Sequence, residues 1–223
     1  MIYSKKNPSK EYVQNLSYYK EMHKNGFQRL DKFICKDNAY DGISTRQFVN
    51  IIKKIIDVNE CKSLLDYGCG KAKYYYKSFQ TNKANYPSLK DYWNVEVNLY
   101  DPCYEKYNKL ISKKVDLTIC IDVLEHIPSV DINWVLRDFF LLTKKIVFID
   151  VACYKASALL PNGQNAHINI QAYDWWENQL IKCALEFKGI KIIAFCNFLA
   201  DNNKMVHRCI EINDTFEKYS SIK

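Results

Sequence analysis

Glycine and proline are scarce in this 223-residue sequence, which contains six glycines and five prolines. Long apolar runs are missing as well, since no run approaches the ~18 residues that a membrane-spanning helix needs. The first residues, MIYSKKNPSKEY, lack the apolar segment of a signal peptide. We therefore expect a cytoplasmic protein without a membrane partner.

Arginine is also rare, and the formal net charge of +7 is carried almost entirely by lysine. The lysines are scattered along the chain and do not form one basic block. Scattered lysines are typical of a solvated surface. The charge alone therefore does not predict a nucleic-acid partner.

The nine cysteines do not form a recognisable pattern. Their number is odd, and no two of them have the Cys-x-x-Cys spacing of zinc or redox sites. Several, such as Cys120 and Cys196, lie inside apolar runs, as buried reduced thiols do. The sequence thus predicts neither a disulfide scaffold nor a metal site.

The chain is long enough for one sizeable core, because 48% of its residues are hydrophobic. We interpret the polar, tyrosine-rich residues 1–40, with a candidate helix from Tyr12 to Lys24, as a lid or cap. Residues 41–212 form one predicted domain, and residues 213–223 a C-terminal tail.

Helical and strand patterns alternate along residues 41–212. Ser44 is a candidate N-cap of an amphipathic helix, and further helices are predicted at Lys71–Phe79, 132–140 and 173–187. The predicted strands are Ser63–Asp66, Val95–Tyr100, Val115–Ile121, Lys145–Val151, Ile190–Phe198 and Met205–Ile212. The alternation indicates an α/β fold with a doubly wound, mostly parallel sheet. Because a short turn joins the last two strands, the last strand must be antiparallel.

The segment SLLDYGCGKA, residues 63–72, places two of the six glycines behind an apolar run. Glycines in such a turn let backbone N–H groups approach a ligand. The Walker pattern fails because no Gly-Lys-Ser/Thr follows, and the dinucleotide pattern fails because Lys73 replaces its third glycine. The acid that precedes the glycines, Asp66, could bind an ammonium group of a ligand. The glycines leave room for an uncharged, thioether-linked nucleoside.

Three segments together resemble class I S-adenosylmethionine-dependent methyltransferases: LLDYGCGKA (Leu64–Ala72), LYDP (Leu99–Pro102) and VDLTICIDVLEHIP (Val115–Pro128). The resemblance covers roughly residues 44–212. It implies a Rossmann-like sheet of the seven-stranded type, S-adenosylmethionine as cofactor and S-adenosylhomocysteine as product. Only residues 103–114 separate Asp101 and Pro102 from the next predicted strand. This segment is too short for the usual crossover helix and third strand together, so we expect the sheet to be trimmed at its third-strand edge.

The resemblance also implies roles for individual residues. The methionine part of the cofactor would lie against the glycine turn, and the ribose hydroxyls would bond to the acid of LYDP. Asp122, Val123 and Leu124, which follow the third predicted strand, would lie near the adenine or the sulfonium. The implied cofactor-binding residues are Asp66, Gly68, Cys69, Gly70, Asp101, Pro102, Asp122, Val123 and Leu124.

We expect the methyl acceptor near the loop that follows Val151. His167 is a candidate general base at neutral pH; alternatively, it caps a helix or bonds to a backbone carbonyl. The candidate substrate contacts are Tyr154, Asn165 and Trp175, and Trp175 lies off the apolar face of its predicted helix.

A metal cluster of Asp122, Glu125 and His126 is not expected. Consecutive side chains at a strand end seldom point to one centre, and the sequence shows no evident distant ligand. We interpret His126 as a residue that holds the turn.

The sequence thus predicts a methyltransferase that acts on an oxygen or nitrogen atom of a small molecule or sugar. Two alternatives remain open, a tRNA or protein methyltransferase and a non-catalytic cofactor-binding subunit. Neither the acceptor nor the oligomeric state follows from the sequence.

Overall fold

A computed structural model describes residues 3–201 and 204–212, and the predicted tail at 213–223 lies outside this range. Its helices are α1 (Lys10–Asn25), α2 (Val49–Val58), α3 (Leu89–Trp93), α4 (Ile132–Phe140) and α5 (Tyr173–Glu186). The strands of its central sheet are β1 (Ser63–Tyr67), β2 (Glu96–Tyr100), β3 (Val115–Ile121), β4 (Thr143–Ala152), β5 (Lys191–Leu199) and β6 (Met205–Ile212).

The six strands lie in the order β2-β1-β3-β4-β5-β6. All neighbours are parallel except β5 and β6, which pair antiparallel at one edge. The predicted mostly parallel α/β sheet with an antiparallel last strand is therefore confirmed. In the described part of the chain the sheet has six strands, not seven. Strand β2 forms the other edge, because residues 101–114 form only one 3-10 turn, Glu105–Tyr107.

Helices cover both faces of the sheet, which is why all seven residues of β3 are buried. Successive residues of a strand point to opposite faces. Leu65 packs in a core with residues of α1, α4 and α5, whereas Leu64 packs in a second core with residues of α2 and α3. The sequence patterns of α2 and α4 arise from this packing.

The strand order reverses between β1 and β3. From β1 the chain continues to β2 on one side, and the later strands are added on the other side. In doubly wound sheets, ligands bind in the crevice at the carboxyl ends of the strands where the order reverses. Here that crevice lies beside Gly68 after β1 and Asp122 after β3.

Helix α1 closes this crevice. It begins after Ser9, whose side-chain oxygen accepts a hydrogen bond from the Tyr12 amide at 3.0 Å. Its inner face packs the Tyr12 ring against Trp134, with ring centroids 4.9 Å apart. None of the described helices is long and apolar enough to span a bilayer.

Two local predictions are wrong. Lys71–Phe79 is not an α-helix but contains one 3-10 turn, Lys73–Tyr75. The reason is that the Tyr75 side chain is buried in the core. Ser44 is not an N-cap, since a 3-10 helix, Ile43–Phe48, precedes α2. The Ser44 hydroxyl instead donates to Oδ2 of Asp122 at 2.8 Å.

Candidate functional site

The turn after β1 is fixed by the end of β2. The amides of Gly68 and Cys69 both donate to the carbonyl of Tyr100, at 2.7 and 3.0 Å. The turn therefore has a defined shape before any ligand binds.

The two glycines of this turn are required by the packing of the protein itself. Gly68 and Gly70 have φ angles of +92° and +57°, which favour glycine. A Cβ atom on Gly68 would lie 2.4 Å from Cγ2 of Val123, and one on Gly70 would lie 2.2 Å from the carbonyl oxygen of Tyr40. Room for a ligand is thus not the only reason for glycine at these positions.

The first cleft lies between the glycine turn, the end of β2 and helix α1. It is lined by six of the cofactor-binding residues that the resemblance implies: Gly68, Gly70, Asp101, Pro102, Asp122 and Val123.

Asp101 is a buried acidic group of the first cleft, with only 8% of its surface exposed. Its Oδ2 accepts from the Gly70 amide at 2.9 Å, and its Oδ1 accepts from the Cys103 amide at 2.8 Å. A carboxylate has about four lone-pair sites. Two therefore remain for hydroxyl groups of a ligand.

Helix α1 supplies polar side chains that none of the sequence motifs includes. Asn15 and His23 line the first cleft, and among the described residues neither Asn15 Nδ2 nor His23 Nδ1 has a hydrogen-bond partner. Burial lowers the pKa of His23 below its ordinary value. Buried polar atoms without partners are rare in proteins. Asn15 and His23 therefore place unpaired polar atoms in the wall of the first cleft.

A second cleft begins where the first ends, and both are bordered by Gly68, Asp122 and His126. Tyr154 and His167, two candidate residues of the acceptor side, line the second cleft. Cys69 lines it as well, with its thiol buried beside the turn.

The two histidines of the second cleft are held by backbone carbonyls. His167 Nδ1 lies 2.6 Å from the Tyr154 oxygen, and His126 Nδ1 lies 2.9 Å from the Ala166 oxygen and 2.7 Å from the Tyr19 hydroxyl. A carbonyl only accepts, so Nδ1 carries the hydrogen and Nε2 keeps its lone pair.

Burial keeps both rings neutral. It lowers the pKa of His167, and together with the neighbouring His167 it lowers the pKa of His126 to about 4. Of the alternatives for His167, the bond to a backbone carbonyl is the one observed. This bond leaves its other nitrogen available.

Two of the predicted cofactor contacts border neither cleft. Asp66 is 2% exposed and accepts a hydrogen bond from the Tyr75 hydroxyl at 2.8 Å. Burial raises its pKa to about 7. Leu124 is fully buried in the core shared with α4. In this structure, neither Asp66 nor Leu124 is positioned on a surface of the two clefts.

Two of the predicted substrate contacts are also placed elsewhere. Asn165 uses its side-chain amide to hold its own loop, since it accepts from the Ala156 amide at 3.0 Å and donates to the Ala156 carbonyl at 2.8 Å. Trp175 packs edge-on against Trp176, with centroids 4.8 Å apart, and borders neither cleft.

Glu125 lines neither cleft, unlike Asp122 and His126, which line both. It is fully buried, and its Oε1 accepts from the Ala152 amide at 2.7 Å. Burial raises its pKa well above the ordinary value. Glu125 therefore ties the turn after β3 to strand β4.

No protein-family model matches this chain, and no curated protein matches it significantly. The geometry of the two clefts is thus the basis for assigning a function.

Proposed function

We propose that the protein binds S-adenosylmethionine in the first cleft and transfers its methyl group to an oxygen or nitrogen atom of a small molecule or sugar in the second. The observation that carries this proposal is the position of the glycine turn, Asp101 and Asp122. They follow three neighbouring strands, β1, β2 and β3, at the reversal of strand order.

The residues of the first cleft fit this cofactor. The free lone pairs of Asp101 suit the two ribose hydroxyls. The unpartnered atoms Asn15 Nδ2 and His23 Nδ1 suit polar groups of the ligand. Leu16, Val123 and other apolar side chains line the same cleft and suit the adenine and thioether portions.

When bound, the cofactor supplies a methyl group on a sulfonium that is already a good leaving group. The task of the chain is then to hold the acceptor in line, which contributes on the order of 7–11 kcal/mol. A general base typically adds ~10²–10⁴-fold. Asp122 and His126 lie at the junction of the clefts, where the two reactants would meet.

The second cleft favours a small polar acceptor over a nucleic acid. Among the described residues that line it, Arg29 is the sole lysine or arginine, and it pairs with Asp31 at 3.4 Å. Nucleic-acid binding depends on several cations that contact phosphates. Hydroxyl and imidazole groups, including Ser44, Tyr154 and His167, border the cleft instead.

The test is to incubate the protein with methyl-labelled S-adenosylmethionine and pools of sugars, small hydroxylated metabolites, tRNA and protein. Formation of S-adenosylhomocysteine with label in a sugar or small molecule supports the proposal. Label in tRNA or protein favours the macromolecular alternative, and binding without turnover favours the non-catalytic one. Failure to bind either compound at millimolar concentration refutes the proposal.

A further inference from the structure

We propose that Asp122, His126 and His167 form a binding site for one divalent transition-metal cation at the junction of the two clefts. One potential ligand atom from each residue lies within 4.8 Å of those from the other two. Ligand atoms about 2.0–2.2 Å from a common cation are about 3–3.5 Å apart, so atoms as far apart as 4.8 Å need to approach by about 1–2 Å.

The two imidazoles are oriented as metal ligands are. A metal-bound histidine usually donates its other ring N–H to a carbonyl or carboxylate, which fixes the tautomer and the plane of the ring. Both His126 and His167 place Nδ1 against a carbonyl oxygen. Nε2 is therefore the available nitrogen of each ring, and the rings lie edge to face with centroids 4.8 Å apart.

Asp122 supplies the carboxylate. Its φ angle is +59°, a left-handed conformation that is uncommon for residues other than glycine. Such conformations concentrate at functional sites, where the surrounding structure maintains them. The Ser44 hydroxyl holds Oδ2 at 2.8 Å, and the aspartate is exposed to both clefts.

This trio differs from the cluster that the sequence argued against. Glu125 is excluded, because its carboxylate is buried against Ala152. The distant ligand that the sequence did not reveal is His167, which the loop between β4 and α5 brings beside His126.

Two imidazoles and one carboxylate suit zinc, manganese, iron or cobalt better than magnesium or calcium, which prefer oxygen ligands. Three protein ligands also leave coordination positions open, as in catalytic rather than structural sites. The open positions would face the second cleft, which all three residues line.

The role of the cation rests on the proposed function. A cation here would bind an acceptor hydroxyl, lower its pKa and hold its oxygen in line with the methyl group. In the transfer, the new O–C bond forms as the S–C bond breaks. The electron pair of that bond stays on sulfur, and the hydroxyl proton passes to water.

The experiment uses tag-free full-length protein, freed of metal by a chelator and titrated with Co²⁺ in the absence of S-adenosylmethionine. Visible absorption reports the coordination of Co²⁺, and displacement by Zn²⁺ gives the relative affinity. The diagnostic variants are His126→Asn and His167→Asn, because asparagine retains a donor near the Nδ1 position and lacks an atom at Nε2. His207→Asn is the matched control, since His207 lies on β6 and bonds to Asn197.

We expect one Co²⁺ per chain, with affinity reduced at least about 100-fold in each diagnostic variant and unchanged in His207→Asn. Absence of binding, equal binding by all variants, or a sulfur-to-cobalt charge-transfer band from cysteine coordination would overturn the proposal. Binding of S-adenosylmethionine is measured separately on the same samples. Cofactor binding without Co²⁺ binding refutes only the metal site, and Co²⁺ binding without cofactor binding refutes only the proposed function.

Discussion

Oδ2 of Asp101 accepts a hydrogen bond from the Gly70 amide at 2.9 Å, which joins the end of β2 to the turn after β1. The same carboxylate faces the first cleft. One side chain therefore both shapes the proposed cofactor site and is available to contact the ligand.

Asp101→Asn should lower the affinity for S-adenosylmethionine at least about 10-fold, because charge-assisted hydrogen bonds are the stronger ones. It should also cost about 1–3 kcal/mol of unfolding free energy, since an amide cannot accept from two backbone amides with both of its polar atoms. Isothermal titration calorimetry and urea unfolding measure the two effects.

Asp116→Asn is the matched control for this prediction. Asp116 has the same 8% exposure and accepts from the Lys62 amide at 2.7 Å, at the opposite end of the sheet. It should lose stability but keep its cofactor affinity. An equal loss of affinity in both variants would show that Asp101 acts through stability alone.

Gly68→Ala should destabilise the protein more than Gly163→Ala. Gly163 has φ +82°, and no atom lies within 4 Å of the position that a Cβ atom would occupy there. Gly163→Ala therefore measures the cost in unfolding free energy of the left-handed conformation alone, about 1–2 kcal/mol. At Gly68 the contact with Val123 adds about 1–3 kcal/mol of overpacking. Urea unfolding of both variants compares these costs.

The double variant Gly68→Ala/Val123→Ala tests the cause. Removing the valine methyl groups should restore part of the stability lost in Gly68→Ala, beyond the sum of the two single effects. Strict additivity would contradict the assigned contact.

Ionisation of Asp66 should lower the stability of the protein as the pH rises from about 4 to about 7. Its folded pKa of about 7 lies above its ordinary value, so the folded state retains a proton that the unfolded state has lost. The resulting loss, on the order of 2–4 kcal/mol, is complete above about pH 7 and absent below about pH 4.

Asp66→Asn should remove this component, because the amide oxygen still accepts from the Tyr75 hydroxyl without becoming charged. Unfolding free energies at pH 4.5 and 8 give the measurement. A pH dependence identical to that of the wild type would contradict the assignment to Asp66.

Asn15→Leu should have opposite effects on stability and binding. The substitution removes a buried donor without a described partner, so the ligand-free protein should gain about 1 kcal/mol. The affinity for S-adenosylmethionine should fall, because a polar contact is lost. Asn133→Leu, on the exposed face of α4, should change neither quantity. Unchanged affinity in Asn15→Leu would place that side chain outside the ligand contacts.

The sheet was predictable because its strands carry a strong local signal. Five of the seven residues of β3 are apolar, and the acids after β2 and β3 mark the strand ends that meet at the crevice. The short connection between β5 and β6 determined their antiparallel pairing.

Local patterns were misleading where a side chain has a distant partner. Tyr75 belongs to a tyrosine-rich run that allows a helix, but its hydroxyl bonds to buried Asp66. Ser44 has the composition of an N-cap, but its hydroxyl reaches Asp122, 78 residues further along the chain. Neither partner can be recognised before the sheet is assembled.

The sequence does indicate that α1 contributes to the site, but a hydrophobicity pattern does not detect it. The residues of α1 that line the first cleft are spaced as one helical face: Tyr12, Asn15, Leu16, Tyr19 and His23. Most of them are polar or amphipathic, so a search for an apolar stripe passes over them. A search for tyrosine, histidine and asparagine at helical spacing would find this face.

At the expected boundary between residues 40 and 41, the chain is hydrogen-bonded to the residues that follow the glycine turn. The Lys71 amide donates to the Tyr40 carbonyl at 2.7 Å, and the Lys73 amide donates to the Asp41 carbonyl at 3.0 Å. Gly70 tolerates no side chain beside the same Tyr40 carbonyl. A recombination event that exchanged the first forty residues would therefore have to supply a matching backbone path at this junction.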